Sequence, residues 1–109
     1  MRALRALPLL LLAAACAGGG RGCPAVLVNA SQLPVEQFYL ARAGAEGWGT
    51  DLVAAAELAP GATLPVRFEG EGRYGLRAVW ANGRAVEMQN IEGCRVARIT
   101  VRDDALQVE

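Results

Sequence analysis

Apolar residues recur along this chain in short runs divided by turn signals, and within most runs they alternate with polar ones. The pattern predicts strands over 24–30 (PAVLVNA), 35–42 (VEQFYLAR), 63–69 (TLPVRFE), 73–80 (RYGLRAVW), 84–91 (RAVEMQNI) and 95–102 (RVARITVR), with the tail LQVE as a short edge strand. Leu64, Val66 and Phe68 fall on one face, as do Tyr74, Leu76, Ala78 and Trp80, and Ala97, Ile99 and Val101. Such alternation belongs to sheets with one dry and one wet face. The expected fold is all-β: a small antiparallel β-sandwich or partly closed barrel of six to seven strands.

One hairpin can be taken to register. A two-residue turn at Asn82-Gly83 would set Ala78 opposite Glu87 and mix the faces. A three-residue loop, Ala81-Asn82-Gly83 with Gly83 left-handed, pairs Ala78 with Val86 and Leu76 with Met88 and keeps one face apolar. The longer loop is therefore expected. Segment 43–62 (AGAEGWGTDLVAAAELAPGA) lacks strand alternation. Thr50 or Asp51 can cap a helix over LVAAAEL, stopped by Ala59-Pro60-Gly61. That short helix needs Leu52, Val53 and Leu58 docked on the sandwich, where it is expected to cover one open end of the core.

The N-terminus changes the picture from a generic β-domain to an exported one. Arg2 and Arg5 precede an uncharged apolar run over 6–15, followed by small residues around Cys16. The run is about half the length a bilayer core requires, so it reads as a secretory leader rather than a spanning helix. Leu12-Ala13-Ala14-Ala15-Cys16 resembles a lipobox, with Cys16 as the acylated mature N-terminus. Ala13 stands where the pattern prefers Leu, and Ala15-Cys16-Ala17 also fits ordinary cleavage, which would leave a soluble protein. The lipoprotein reading is preferred, and Ala17, which is not the Asp associated with inner-membrane retention, favours the outer membrane. The expected organisation is a leader over 1–15, a flexible tether over 16–22 carrying Cys16, and a β-domain over 23–109. With Cys16 lipidated or removed, Cys23 and Cys94 remain as an even pair able to bridge in an oxidising compartment, or to stay as buried thiols.

Composition narrows the chemistry. Eleven basic and eleven acidic residues cancel, which argues against a nucleic-acid partner. There is no His, no Lys, and Ser31 is the only serine, so Ser-His-Asp and Cys-His catalysis, Lys Schiff bases, His metal sites and the P-loop lysine are excluded. No cofactor is expected, and the chain is not expected to be an enzyme. A carboxylate hydrolase would need two of Asp51, Glu57, Glu69 and Glu71 facing each other in a cleft. Asp103-Asp104 lacks a calcium ligand loop. Asn29-Ala30-Ser31 matches a glycosylation sequon but is more simply a polar strand end.

The aromatics remain. Trp48 lies between Gly47 and Gly49, where no alternation explains it. It either plugs the sandwich end beneath the short helix, the preferred reading, or forms with Tyr39, Tyr74 or Trp80 a stacking platform for a sugar ring or a partner side chain. Trp48, Asp51, Tyr74 and Trp80 are the candidate ligand or partner contacts.

The motifs Asn29-Ala30-Ser31, Trp48-Gly49-Thr50-Asp51-Leu52, Leu58-Ala59-Pro60-Gly61, Tyr74-Gly75-Leu76-Arg77, Asn82-Gly83 and Cys94 span nearly the whole mature chain. In them the chain resembles a group of small exported bacterial proteins of unknown function that carry a W-G-x-D-L loop and an L-x-P-G turn. Some of these have a Cys just before the Tyr strand, where this chain has Gly72-Arg73; the resemblance therefore implies Cys23 as the partner of Cys94. It implies a compact β-domain of the cell envelope and supplies no reaction. The expected role is a lipid-anchored structural or protein-interaction module on the periplasmic side of the envelope, contacting the membrane through its anchor and an envelope protein; the alternative is a small-ligand or carbohydrate-binding module.

Overall fold

A computed structural model describes residues 22–109. The predicted leader, most of the tether and the Cys16 acylation site lie outside the described residues. Seven strands follow in chain order: β1 (Cys23–Asn29), β2 (Val35–Arg42), β3 (Thr63–Phe68), β4 (Arg73–Trp80), β5 (Ala85–Glu92), β6 (Arg98–Val101) and β7 (Leu106–Val108). They form a two-layer sandwich, a four-stranded sheet in the order β3-β1-β6-β7 against a three-stranded sheet in the order β2-β4-β5. The fold is the expected small β-sandwich, with one refinement. β1 and β6 run parallel, Leu27 beside Ile99, while the other strand pairs are antiparallel.

Alternation places the core. Leu27, Phe38, Phe68, Tyr74, Leu76, Ala78, Trp80, Ile99 and Val101 are at most 2% exposed and fill the space between the sheets. β4 is the central strand of its sheet and contributes four of them on its inward face. The β4–β5 hairpin has the three-residue loop: Ala78 pairs with Val86 and Leu76 with Met88, and Gly83 takes φ +89°.

Two strands depart from strict alternation, each through a bulge. In β2 the register slips between Val35 and Gln37, so Glu36 is the additional residue and both Val35 and Phe38 face inward. In β5 the slip lies opposite Gly75, where Asn90 takes φ +64°. Without it Asn90 would point at the core and Ile91 at water; the bulge reverses this and pairs Ile91 with Tyr74. Asn tolerates the left-handed conformation better than other side-chain-bearing residues.

Two expectations need correction. The strand predicted over 95–102 starts only at Arg98, because Gly93–Arg95 forms a 3₁₀ turn. Gly93 sits against the rings of Tyr74 and Phe68, where an added Cβ would lie 2.6 Å from Tyr74 Cε1, so the chain turns tightly there. Val96, not Ala97, is then the buried residue.

The helix predicted over 52–58 does not form. The segment runs instead along the open edge of β2. Leu52 N donates to Phe38 O, Leu58 and Val35 exchange both backbone bonds, and Asp51 Oδ1 accepts from the backbone N–H of Phe38 and of Val53. A helix this short gains few internal hydrogen bonds. Satisfying a sheet edge while burying Val53 and Leu58 is the better solution. The segment covers an edge of the three-stranded sheet, not an end of the core.

Candidate functional site

The outer face of the three-stranded sheet carries the most distinctive surface. Tyr39 and Ala41 project there from β2, Gly75 and Arg77 from β4, and Glu87 and Gln89 from β5. The chain leaves β2 at Arg42, turns through Gly44 and returns to the β2 edge at Asp51. Gly47 and Gly49 both have positive φ, +78° and +79°, and this double turn folds the residue between them back over the sheet. Trp48 is that residue. Its ring tilts against Tyr39 with centroids 6.3 Å apart and an interplanar angle of 44°.

Trp48 therefore does not plug the sandwich. It is half-buried on the sheet's outer face, separated from the core by the sheet itself. It walls a cleft of about 250 Å³ whose floor is Ala41 and Gly75 and whose rim includes Arg42 and Gln89. On its other side the same loop borders a second cleft of about 260 Å³ with Glu46, Thr50, Arg67 and Glu69. Tyr39 donates its hydroxyl to Gln37 Oε1 at 2.6 Å, which holds the ring under Trp48. Arg77 and Glu87 form an ion pair on the same face.

The remaining sequence candidates do not join Trp48. Trp80 is 1% exposed, and its Nε1 donates to Ser31 Oγ at 3.0 Å. Tyr74 is 2% exposed, edge-on to Phe68 at 4.9 Å, its hydroxyl donating to Gly70 O and its face covered by the Arg42 guanidinium. Neither has a ring face left for a ligand; both belong to the core by the inward alternation of β4. Asp51 is occupied with two backbone N–H groups. The stacking partner of Trp48 is Tyr39, which sequence reasoning named only as one of three options.

Glu57, Glu69 and Glu71 are exposed, and Asp51 is held in place by the backbone, so the carboxylates give no support to a hydrolytic pair. Asp103 Oδ1 accepts from Gln32 N, and among the described residues no cluster of three or more His, Cys, Asp or Glu could hold a metal ion.

What sequence reasoning missed is a buried polar network. Asn29 Nδ2 donates to Leu33 O and Leu58 O, both at 2.9 Å, and its Oδ1 accepts from the Ser31 N–H and hydroxyl. With Trp80 donating to that hydroxyl, the network runs from β4 across the core to β1 and the 51–58 segment. The sequon Asn is thus fully buried. The motif marked a strand end, but nothing in the sequence pointed to Leu58 or Trp80 as its partners.

Cys23 and Cys94 are joined in a disulfide, Cα–Cα 5.3 Å. It ties β1 in one sheet to the 3₁₀ turn that follows β5 in the other.

No family model matches the chain, and no curated protein matches it. Among solved structures, an NMR structure of a protein from Eubacterium rectale superimposes with a TM-score of 0.61, covering 84% of this chain and 91% of that one at 12% identity. At that identity the likeness extends to the fold alone. Any role must be argued from the surface this chain places on the sandwich.

The position of Trp48 makes a direct prediction. Trp48→Ala removes one tilted aromatic contact and should cost about 1 kcal/mol or less, whereas Trp80→Ala, which empties the core, should cost about 3–5 kcal/mol. Urea unfolding of the two variants checks this. A Trp48→Ala loss as large as that of Trp80→Ala would restore the plug reading.

Proposed function

We propose that this chain is an exported β-domain of the cell envelope, lipid-anchored through Cys16, that works by contact as a structural or interaction module, with the Trp48 face as its contact surface. The observation that carries the export reading is the pairing of a leader-like N-terminus with a cross-sheet Cys23–Cys94 bridge, a bond that persists in oxidising compartments and is rare in reducing ones. The likeness of its motifs to small exported bacterial proteins supports the same reading. No helix among the described residues is long and apolar enough to cross a membrane, and an N-terminal lipid would supply the attachment instead.

An anchor at Cys16 would also orient the domain. Seven residues of fully extended chain reach about 25 Å, so Cys23 and the pole that bears the disulfide would stay within that distance of the bilayer. The turn over 59–62 and the hairpin loop over 81–84 lie at the opposite ends of the strands and would face away from it.

The test is labelling with radioactive palmitate in a bacterial host, followed by fractionation. Label present in the parent chain, absent in Cys16→Ser, and found with the outer membrane is the expected result. A processed but unlabelled periplasmic product would overturn the anchor while keeping export. An unprocessed cytoplasmic product would overturn both.

A further inference from the structure

We infer that the cleft between Trp48 and Gln89 is a binding site for a single neutral sugar ring, a hexopyranose of a glycan, stacked on the Trp48 indole over Gly75. The inference holds whether or not the chain is exported.

Three features of the cleft coincide. The first is Gly75. It lies in the central strand of its sheet, where a residue without a side chain weakens the strand and often marks a place where something approaches the backbone. Its φ is not in the left-handed range, so the backbone itself does not require glycine. The atoms nearest to a Cβ at this position belong to the end of Gln89, with Oε1 at 2.6 Å. The space directly above this buried glycine is filled by the Gln89 amide, the end of a flexible side chain that a ligand can displace.

The second feature is the β5 bulge. The regular hairpin register sets Gln89 opposite Gly75, and the slip falls at this pair, beside the site. Bulges are commonly used to re-aim a side chain beside a site. The third is Trp48, held half-open by its two flanking glycines and by Tyr39 behind it.

The hydrogen-bonding capacity of the cleft points to the ligand. Among the described residues neither the Trp48 indole N–H nor the Gln89 amide has a partner, so the cleft offers two kinds of donor and one strong acceptor. Its only charged side chain, Arg42, is already engaged with Glu71 O and the Tyr74 ring. An aromatic wall, a flat floor of Ala41 and Gly75, and neutral groups that both donate and accept match a pyranose, which has an apolar C–H face and a rim of hydroxyls. A cleft of about 250 Å³ holds one such ring and falls below the range of roughly 300–1,000 Å³ usual for larger ligands.

The test is a titration followed by the two indole N–H signals in ¹H–¹⁵N NMR spectra, with glucose, galactose, N-acetylglucosamine and their β-linked dimers as probes. Buried Trp80 serves as the internal control. At least one sugar is expected to shift the Trp48 signal saturably, with a dissociation constant on the order of 1 mM, and to leave the Trp80 signal in place. Gly75→Val fills the floor with a residue suited to strands, and it should weaken binding by about tenfold or more while the thermal midpoint stays near that of the parent chain. Trp48→Ala, which lacks the reporting indole and is followed through the backbone amide signal of Gly75, should also weaken binding by about tenfold or more. No saturable shift with any of the six sugars would overturn the inference, as would a response to adenosine in their place, or sugar binding that survives Gly75→Val in a variant that remains folded.

Discussion

Asn29→Ala is expected to lower the stability of the domain by about 3–5 kcal/mol, a large share of the roughly 5–15 kcal/mol that separates a domain of this size from its unfolded state. The side chain is completely buried, and each of its polar atoms has a partner. Alanine would leave the Ser31 N–H enclosed without its partner, at about 1–3 kcal/mol, and would take from the Leu58 carbonyl one of its two donors, the Val35 N–H remaining. It would also loosen the hydroxyl that accepts from Trp80. Asn29→Asp should be no better: a carboxylate cannot donate to the Leu33 and Leu58 carbonyls and would place a charge in the core. Ser31→Ala, which removes the hydroxyl but leaves the backbone bond to Asn29, should cost less, about 1–2 kcal/mol. The three variants are compared by urea unfolding monitored through tryptophan fluorescence. A loss below about 1 kcal/mol for Asn29→Ala would mean that water replaces the amide and that the network is not a structural keystone.

Reduction of the Cys23–Cys94 bridge should also have a large effect. The two residues are separated by 71 positions, so the bond closes a loop of most of the domain and restricts the unfolded chain strongly. The chain-entropy model gives about 4 kcal/mol for a loop of this length, and strain commonly leaves about 2–4 kcal/mol. For a domain this small that corresponds to a fall in Tm on the order of 10–20 °C. Unfolding of the wild-type chain with and without reductant, beside Cys23→Ser/Cys94→Ser, checks the effect. The double variant should match the reduced parent and should not respond to reductant. Equal midpoints with and without reductant would show that the sheets hold together without the tie. In an oxidising compartment the bond is a natural supplement to a core built from two small sheets.

These two effects differ in how far they could be foreseen. Cysteine arithmetic and the motif resemblance both led to Cys23 and Cys94, because the set of three cysteines leaves few options once Cys16 is assigned to the leader boundary. The Asn29 network could not be foreseen from spacing. Its members lie at 29, 31, 33, 58 and 80, and only the turn after β1 is local. The candidate site divides in the same way. Trp48 stood out because no period explained an aromatic residue between two glycines, and it does line a cleft. Its neighbours were misassigned because Tyr74 and Trp80 were considered as surface aromatics, although their own alternation had already placed them with Leu76 and Ala78 inside. Gln89 and Gly75 gave no signal in sequence. The hairpin register sets them opposite each other, but the bulge beside them and the loop that lays Trp48 along them appear only in the assembled sheet.

The chain's sequence alone determined where the strands form (except for the late start of β6), the inward faces of β3 and β4, and the register of the β4–β5 hairpin up to its bulge. Each of these depends on period-two burial or on turn chemistry within a few residues, and such local preferences survive in any compact arrangement. The tertiary structure decided the parallel pairing of β1 with β6, the bulges at Glu36 and Asn90, the fate of 51–58 and the placement of Trp48 outside the core. In each case the outcome depends on a distant segment. An edge must be left open before 51–58 can satisfy it, and a sheet must already stand beneath Trp48 before the indole can lie on its outer face. Hydrogen-bonding groups left over at an edge, and the space between particular strands, exist only once the sheets have assembled.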